Sequence, residues 1–450
     1  MKKAISLLCL FAIVVLTLCA CQEETTAQRC TYYTRKGSWS DVDQLINEYN
    51  KQCSDLDMQI AVVEFENENE LTNRFLTEVM AGAGPDIMGS ALISQTNVPM
   101  EKLVTQNIFM DINSILESDT SSNPLNLNEY NQYVMDAGIV GGKRYFIPTS
   151  YSPDVVVASC EDLAEISDIA GTSQQLTYSD IVLISEKYKS YLFSEDNFAK
   201  SIFYTCIDGQ VDTDAKTADF DDREFIETLD SLKGIVDSDN NAGGRYLQRD
   251  EYLFSMDGRY SIFDLAAEVC RISELGETPL ILNLPTLHNG TSAQINDAIF
   301  INENCKNKEV ALQFIKFALS EKTQSNMTGA DIIEYNPNVS GGFGQSYPVH
   351  NEVMDKLFEK CSSISFDKAF AESYQDSLDI NTSNIRLSAE DAEHLRKYIE
   401  NIRNFSLHNA YSNYNDKVIN SITEDYLSSK ISLPQFIERL KAVTDIYLNE

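Results

Sequence analysis

The chain has 450 residues, of which 43% are hydrophobic and 23% are charged, and its formal net charge at pH 7 is −34. This length exceeds one typical domain, so two units of roughly 200 residues each are expected, and the aromatic content of 10% argues against a disordered chain. The acidic field would repel phosphate backbones and anionic lipid headgroups, which argues against a nucleic-acid-binding protein and against membrane contact through a basic patch.

The first 21 residues have the pattern of an export signal that ends in a lipid-attachment site. Two lysines precede an almost wholly apolar run over residues 4–20, which is shorter than the ~20 residues that a membrane-spanning helix prefers. The run ends in Leu18-Cys19-Ala20-Cys21, which resembles the lipobox of bacterial lipoproteins, although Cys19 is less usual at its position than Ser, Thr or Ala. The resemblance implies cleavage before Cys21 and an anchor of several acyl chains on Cys21. An uncleaved membrane helix is the alternative.

Ten cysteines are present, and three of them fall within these first 21 residues. The others are widely spaced: Cys30, Cys53, Cys160, Cys206, Cys270, Cys305 and Cys361. No two form a CxxC pair, so the sequence predicts neither a zinc cluster nor a redox motif. We expect most of them to be buried thiols that pack as small apolar residues, and this number of free thiols in an exported protein indicates a reducing habitat.

The segment after the signal alternates strands and helices. Residues 31–34 and 58–65 have the composition of strands, and each is followed by a segment with helical periodicity. Ser40 is placed to cap the first helix, and the Gly- and Pro-containing turn at 81–85 ends the second helix before a third strand at 86–88. The order strand, helix, strand, helix, strand predicts a mostly parallel sheet.

The remainder is predicted to be mainly helical, with a few strands between the helices. Residues 144–148, 155–158 and 281–285 predict strands, whereas the stretch from 179 to 276 is mostly helical in its periodicity. Three later helices are predicted to begin after cap residues: Asn307, Ser388 and Ser432.

Several segments, in order along the chain, resemble the large extracellular solute-binding proteins of sugar-type ABC importers, the maltose-binding-protein-like family. They are the opening strand with Gly37-Ser38-Trp39, the turn at 81–87, the segment 142–148 and the stretch 284–321. The resemblance implies an α/β fold of the two-lobed periplasmic-binding-protein type (type II). The ligand would lie in a cleft between the lobes, near the carboxyl ends of the strands, and the lobes would close on it by a hinge motion.

The resemblance also implies how the chain is divided. Residues 1–20 would be the signal peptide and 21–30 the lipid-anchored tether. Lobe 1 would comprise 31–142 and 286–344, and lobe 2 would comprise 143–285 and 345–450. Both lobes are then discontinuous in sequence.

A sugar presents hydroxyl groups and a C–H face, so its site needs aromatic surfaces and hydrogen-bonding side chains on loops at strand ends. The candidate ligand-binding residues in such positions are Trp39, Ser90, Ser150, Tyr151, Phe263, Asp264 and Phe343. Trp39, the only tryptophan, could stack on a ring or could simply precede a helix cap. Phe263 stands where the family commonly has Trp. The glycine-rich loop around Phe343 could close over a ligand or serve only as a hinge.

The sequence therefore predicts a monomeric extracytoplasmic lipoprotein, without catalysis, cofactor or bound metal, that captures a small polar solute for the permease subunits of an ABC importer. A mono- or oligosaccharide is the expected solute, although sugar binders usually carry several tryptophans. Zinc-protease, α/β-hydrolase and P-loop motifs are absent from the sequence. Two alternatives stay open: a surface lipoprotein glycoside hydrolase, and a binder of peptides or another non-sugar solute.

Overall fold

The computed structural model of the protein describes residues 29–38, 40–96, 98, 100–166, 175–188, 191–193, 198–212, 215–239, 252–254, 261–285, 292–330, 346–366, 385–407 and 414–449. The predicted signal peptide, the lipidated Cys21, Trp39 and the loop with Phe343 lie outside these residues. No helix in the described ranges has both the length and the apolar character needed to cross a membrane.

The described strands are β1 (Thr31–Arg35), β2 (Ala61–Phe65), β3 (Ile87–Gly89), β4 (Ile139–Val140), β5 (Lys143–Arg144), β6 (Phe146–Pro153), β7 (Val155–Ser159), β8 (Tyr191–Phe193), β9 (Val211–Asp212), β10 (Thr217–Ala218), β11 (Tyr252–Phe254), β12 (Pro279–Asn283), β13 (Ser292–Ile301), β14 (Tyr347–Pro348) and β15 (Asn404–Leu407).

The described α-helices are α1 (Asp41–Gln52), α2 (Glu68–Met80), α3 (Ser90–Gln95), α4 (Met100–Thr105), α5 (Ile112–Glu117), α6 (Gln132–Asp136), α7 (Cys160–Ile166), α8 (Tyr178–Lys187), α9 (Phe198–Asp208), α10 (Arg223–Asp239), α11 (Ile262–Glu274), α12 (Lys308–Leu319), α13 (Glu321–Thr328), α14 (Asn351–Ser363), α15 (Ala389–Glu400), α16 (Asn420–Leu427) and α17 (Leu433–Asn449). A π-helical turn, Tyr414–Ile419, precedes α16.

Local capping begins several of these helices where the sequence predicts. The Ser40 side chain accepts a hydrogen bond from the Asp43 backbone N–H (3.1 Å), and the Asp43 carboxylate accepts one from the Ser40 N–H (3.1 Å), which forms a capping box at α1. The side chains of Asn307 and Ser388 cap α12 and α15 by accepting from the backbone N–H three residues later, without the reciprocal bond of a capping box. The last helix begins directly after Ser432. These predicted helix starts are confirmed.

Seven of the described strands form one large sheet, in the order β14-β6-β13-β3-β1-β2, with β15 beside β13. β1 runs parallel to both β2 and β3, so that Tyr32 pairs with Val62 on one side and with Ile87 on the other. The parallel start predicted from the alternation of strands and helices is therefore confirmed. β13 runs antiparallel to β3 and β6 and parallel to β15.

A second, smaller sheet pairs β7 with β12 in antiparallel register. β7 follows β6 with only Asp154 between them, so the chain passes from the large sheet into the small one without a loop. Backbone hydrogen bonds hold this crossing, because the Asp154 N–H donates to the Ser292 carbonyl (3.1 Å) and the Leu284 N–H donates to the Asp154 carbonyl (3.0 Å). The Asp154 carboxylate accepts from the Ser292 hydroxyl (3.0 Å) and from the Gln294 amide (2.7 Å).

Apolar side chains from both sheets bury into separate cores. Successive residues of β7 alternate between them, with Val155 and Val157 in the first core and Val156 in the second. The first core is completed by α1, α11, α12, α14 and α15, and the second by α8, α9, α10, α16 and α17. A third cluster, below α2 and α3, covers the other face of the large sheet. The molecule is thus a mixed α/β structure in which helices cover both faces of the large sheet.

Strand pairing places three segments differently from the predicted division of the chain. β6, β14 and β15 fall within residues assigned to lobe 2, yet all three belong to the large sheet that also contains β1 to β3. The backbone groups of β6 pair with β13 along most of its length. Composition could not predict this, because the partner that satisfies a strand's backbone groups is distant in sequence. The lobe boundaries as a whole stay a prediction.

Candidate ligand-binding site

The carboxyl edge of the large sheet carries the polar groups of the candidate site. β1 and β3 end there, and α1 and α3 begin close to those ends. Next to them Asp297 of β13 lies opposite Ser150 of β6, and the strand register shifts on both sides of Asp297. Such an irregularity re-aims a side chain, and here the Asp297 carboxylate reaches the first turns of α1 and α3.

Three donors from three elements hold the Asp297 carboxylate. The Ser90 hydroxyl donates to Oδ1 (2.5 Å), the Ala298 backbone N–H also donates to Oδ1 (2.9 Å), and the Val42 N–H donates to Oδ2 (3.0 Å). Asp297 is only 3% exposed. Because the free N–H groups at a helix start and the helix dipole favour a negative charge, the first turn of α1 is a suitable place for this carboxylate.

A second carboxylate, that of Asp41, lies beside Asp297 at the start of α1. The Ser150 hydroxyl donates to Asp41 Oδ2 (2.9 Å). Burial, together with the nearby charge of Asp41, raises the pKa of Asp297 to about 7, because an ionised carboxylate is disfavoured away from water and next to a like charge. Near neutral pH the Asp297 carboxyl group is therefore partly protonated.

The third carboxylate of the cluster, that of Asp43, organises the loop between β1 and α1. Its Oδ2 accepts hydrogen bonds from the Ser38 hydroxyl (2.5 Å) and from the Ser40 hydroxyl (2.9 Å). Its Oδ1 is buried without a hydrogen-bond partner among the described residues. Trp39 lies between the two serines in sequence, so these bonds fix the chain on both sides of it.

The end of β3 packs closely against α1. A Cβ atom added to Gly89 would lie 3.2 Å from Val42 Cβ and 3.3 Å from the Tyr32 hydroxyl, closer than ordinary contacts allow, so glycine permits this approach. Burial raises the pKa of Tyr32 well above its usual value, and the charges of Asp43 and Asp297 add to the effect. Tyr32 is therefore a neutral donor beside the carboxylates.

Two of the predicted site residues, Ser90 and Ser150, are brought together here. Both are buried, and their hydroxyls donate to the carboxylates of Asp297 and Asp41, respectively. Their predicted contact with a ligand stays a prediction, since in this structure their hydroxyls are engaged with these carboxylates. Trp39 is adjacent in sequence to this cluster but lies outside the described residues, as does Phe343.

Three other candidates are placed away from these groups. Tyr151 is 1% exposed and packs against Tyr347 and Phe405, with ring centroids 5.5 and 5.3 Å away. Phe263 is 3% exposed within the first core. Asp264 accepts from the Ser261 hydroxyl (2.7 Å) and completes the capping box of α11. The two rings are thus core residues with no face open to a ligand, and Asp264 acts as a cap. Their predicted ligand contacts gain no support from this geometry.

Sequence reasoning did not identify Asp41 or Asp297. Asp41 lies two residues after Trp39, where an acidic residue is an ordinary feature of a first helical turn. Asp297 had a usable signal, because it is the one charged residue between positions 292 and 301 in an otherwise mostly apolar strand. A buried charge needs partners, so an isolated carboxylate in such a strand indicates a polar cluster nearby.

Among these polar groups, the half-buried ones can meet a molecule from solution. They are Ser38, Ser40 and Asp41, all in the segment that leads into α1. Hydroxyls and a carboxylate suit the hydroxyl groups of a neutral ligand, for which they can donate and accept hydrogen bonds. Within the described residues, no group of three or more His, Cys, Asp or Glu side chains is arranged to hold a metal ion.

Solved structures with the same fold come from proteins of distant sequence. An ABC substrate-binding protein from Listeria monocytogenes, in complex with cycloalternan, has 15% identity and a TM-score of 0.52, covering 93% of this chain and 97% of that one. The sugar-binding protein MalE from Xanthomonas citri has 12% identity and a TM-score of 0.55, covering 94% and 97%. A sugar transporter protein from Rhizobium etli in an open conformation has 12% identity and a TM-score of 0.51, covering 92% and 98%.

At such identities these likenesses establish the fold alone, and they confirm the predicted two-lobed α/β class. No curated protein matches the sequence. The family of bacterial extracellular solute-binding proteins, however, matches residues 44–340, which is well over half of the chain. The predicted resemblance is confirmed, and the chain belongs to the bacterial extracellular solute-binding proteins.

Proposed function

We propose that this protein captures a mono- or oligosaccharide at the carboxyl edge of the large sheet and delivers it to the permease subunits of an ABC importer, without catalysing a reaction. The observation that carries the proposal is the cluster of hydroxyl and carboxylate groups around the start of α1, next to the only tryptophan. The match to the solute-binding family supports binding as the activity. The complex of the Listeria protein with cycloalternan supports the saccharide class.

The chemistry of the cluster fits a neutral polyol better than an anion. The half-buried Asp41 can accept hydrogen bonds from ligand hydroxyls, and bonds to an ionised acceptor are stronger than those between neutral groups. Ser38 and Ser40 are held by the Asp43 carboxylate, so the backbone on both sides of Trp39 is ordered before a ligand arrives. A tryptophan in that position would add a flat apolar surface for the C–H face of a sugar ring. Repulsion by the acidic groups of this cluster disfavours an anionic solute.

We also propose that the protein works as a monomer held at the extracytoplasmic face of the cell membrane through lipid on Cys21. The support is the sequence pattern of residues 1–21 together with the extracellular character of the family. In this arrangement two lobes would close around the solute. Several acyl chains would be sufficient for stable anchoring, whereas one would not.

Thermal denaturation of the full chain with a panel of ligands tests the proposal. We expect one or more mono- or oligosaccharides to raise Tm, since a ligand present at 100 times its Kd stabilises the folded state by ~2.7 kcal/mol. Amino acids and short peptides complete the panel. Stabilisation by peptides alone would contradict the saccharide assignment. Hydrolysis products in the oligosaccharide samples, detected by chromatography, would contradict the absence of catalysis and favour a glycoside hydrolase.

The substitution Asp41→Asn tests the site itself. We expect it to weaken saccharide binding about 10- to 100-fold, because a bond to a charged group contributes roughly 1.5–3 kcal/mol and the amide offers one neutral acceptor oxygen in place of two charged ones. Isothermal titration calorimetry measures the change. Glu117→Gln, which removes an exposed carboxylate at the end of α5, is the matched control and should bind as the wild type does. Equal affinity of Asp41→Asn and wild type would exclude this edge of the sheet as the site.

A further inference from the structure

Two cysteines lie together at the edge of the large sheet that is opposite the candidate site. Cys30 immediately precedes β1, and Cys305 lies in the turn between β13 and α12. Because β13 runs antiparallel to β3, its end at Ile301 lies beside the start of β3 at Ile87, and β1 begins next to the same point. The sheet topology therefore brings together two cysteines that are far apart in sequence.

The backbone at both positions is fixed by hydrogen bonds. The Ala61 N–H donates to the Cys30 carbonyl (2.7 Å), and the Cys305 N–H donates to the Asn302 carbonyl (2.9 Å). The Cys30 thiol itself donates to the carbonyl of Asn307 (3.2 Å), the residue that caps α12. Cys30 thus reaches across to the turn that carries Cys305.

Both side chains lie in the first core, where the Cys30 thiol interacts with Cys305. Cys30 is 0% exposed and Cys305 is 4% exposed. The hydrogen bond to Cys305, together with burial, raises the pKa of the Cys30 thiol well above its usual value. In the folded protein the Cys30 thiolate is therefore scarce, and both side chains are buried.

We propose that Cys30 and Cys305 are a dithiol that becomes a disulfide when the chain folds in an oxidising extracytoplasmic environment. A Cys30 thiolate would attack one sulfur of a disulfide oxidant such as glutathione disulfide, which forms a mixed disulfide and releases one glutathione thiolate. The Cys305 thiolate would then attack the Cys30 sulfur and release the second glutathione. The protein pair loses two protons and two electrons, and the oxidant becomes two thiols.

This bond would join the first strand to the core across a loop of more than half of the chain. Linking residues so far apart restricts the unfolded state strongly, so the oxidised protein should be the more stable form. The disulfide would also attach β1, the strand that follows the predicted tether, to the turn before α12. The inference does not depend on the solute, because the pair lies at the opposite edge of the sheet from the candidate site.

Refolding in a redox buffer tests the pair directly. The full chain is unfolded under reducing conditions, refolded with reduced and oxidised glutathione, denatured again, alkylated with N-ethylmaleimide and weighed by mass spectrometry. We expect two fewer alkylated cysteines than in a fully reduced sample, and a proteolytic fragment in which Cys30 is linked to Cys305. The Tm of this protein should be higher by ~5 °C or more than that of the same sample after reduction.

Cys30→Ala and Cys305→Ala should each abolish the loss of two alkylation sites, whereas Cys206→Ala, which removes a buried cysteine of the second core, should retain it. If a variant fails to refold, the identification of the disulfide-linked fragment in the wild type still tests the proposal. Full alkylation of the refolded wild type would overturn the proposal. A fragment linking a different pair, such as Cys270 and Cys361, would overturn it as well.

Discussion

Asp297 is held by hydrogen bonds from three elements that are remote from one another in sequence, the starts of α1 and α3 and the strand β13 itself. A carboxylate with such partners links α1, α3 and β13 through hydrogen bonds. Its raised pKa reflects the cost of burial and the neighbouring Asp41, which these donors offset only in part.

Stability should therefore decrease as pH rises toward neutrality. The pKa of Asp297 is raised from 3.8 to about 7, and burial raises that of Asp154 to about 6, so the folded state holds protons that the unfolded chain has released. A stabilising contribution of this kind is complete below pH ~4 and is lost as pH rises through about 7. At 1.36 kcal/mol per pKa unit, the contribution of Asp297 is at most about 4 kcal/mol.

Urea unfolding of the wild type at pH 5, 6, 7 and 8 measures this decrease in the free energy of unfolding. Asp297→Asn should show a smaller decrease over the same range, whatever its absolute stability, because it cannot titrate. Glu117→Gln should retain the wild-type slope. Parallel pH profiles for Asp297→Asn and the wild type would contradict the assignment of the proton to Asp297.

At the residue scale, the contacts of the candidate site residues depend on neighbours that are distant in sequence. Ser90 and Ser150, both expected at strand ends, meet the carboxylates of Asp297 and Asp41, which lie 207 and 109 positions away along the chain. Tyr151 lies within β6 and Phe263 within α11, and both rings point into a core. An expected place at a strand end therefore does not determine whether a side chain points inward or outward.

At the scale of elements, helix starts were the most predictable feature. The pattern of Ser or Thr followed three residues later by Asp forms a capping box at α1, α8 and α11, and every bond in it lies within one turn of the chain. Strand partners were not predictable in this way. β13 pairs with β3, β6 and β15, which are spread over most of the sequence, and nothing local to β13 specifies them.

The cap of α11 provides a test at this scale. Ser261→Ala removes the hydroxyl that accepts from the Asp264 N–H (3.1 Å), so we expect a loss of about 1 kcal/mol in the free energy of unfolding. Solute affinity should stay within about twofold of the wild type if Asp264 serves only the cap. Ser114→Ala, at an exposed position in α5, should change stability by less than about 0.5 kcal/mol. A tenfold loss of solute affinity in Ser261→Ala would instead indicate that α11 takes part in solute binding.

For the whole molecule, the fold class followed from an ordered set of short segments that resemble one family, and the family match over residues 44–340 confirms it. The division into lobes stays a prediction. The crossing between the two sheets is hard to recognise in the sequence, because β6 and β7 are separated by one half-buried residue, Asp154, and by no Gly- or Pro-rich linker.

Attachment of the protein to the membrane through lipid on Cys21 is a prediction that has to be tested in cells. Cys21→Ala removes the proposed lipid acceptor, so we expect the protein to move from the membrane fraction to the soluble fraction after cell lysis. Immunoblotting of the two fractions measures the distribution. Cys53→Ala, a cysteine outside the signal region, should leave the protein with the membrane. Membrane retention of Cys21→Ala would indicate that residues 4–20 stay as an uncleaved helix.

The crossing at Asp154 restricts how the two cores can move. Its backbone N–H donates to the Ser292 carbonyl, and its carbonyl accepts from the Leu284 N–H. Sliding of one core past the other would therefore break these hydrogen bonds together. A rotation about the crossing between β6 and β7 would preserve these hydrogen bonds. In a rotation of that kind an atom's displacement grows with its distance from the axis. Pairs of spectroscopic labels near this crossing would therefore report almost no change in distance, and pairs far from it would report the largest change in distance.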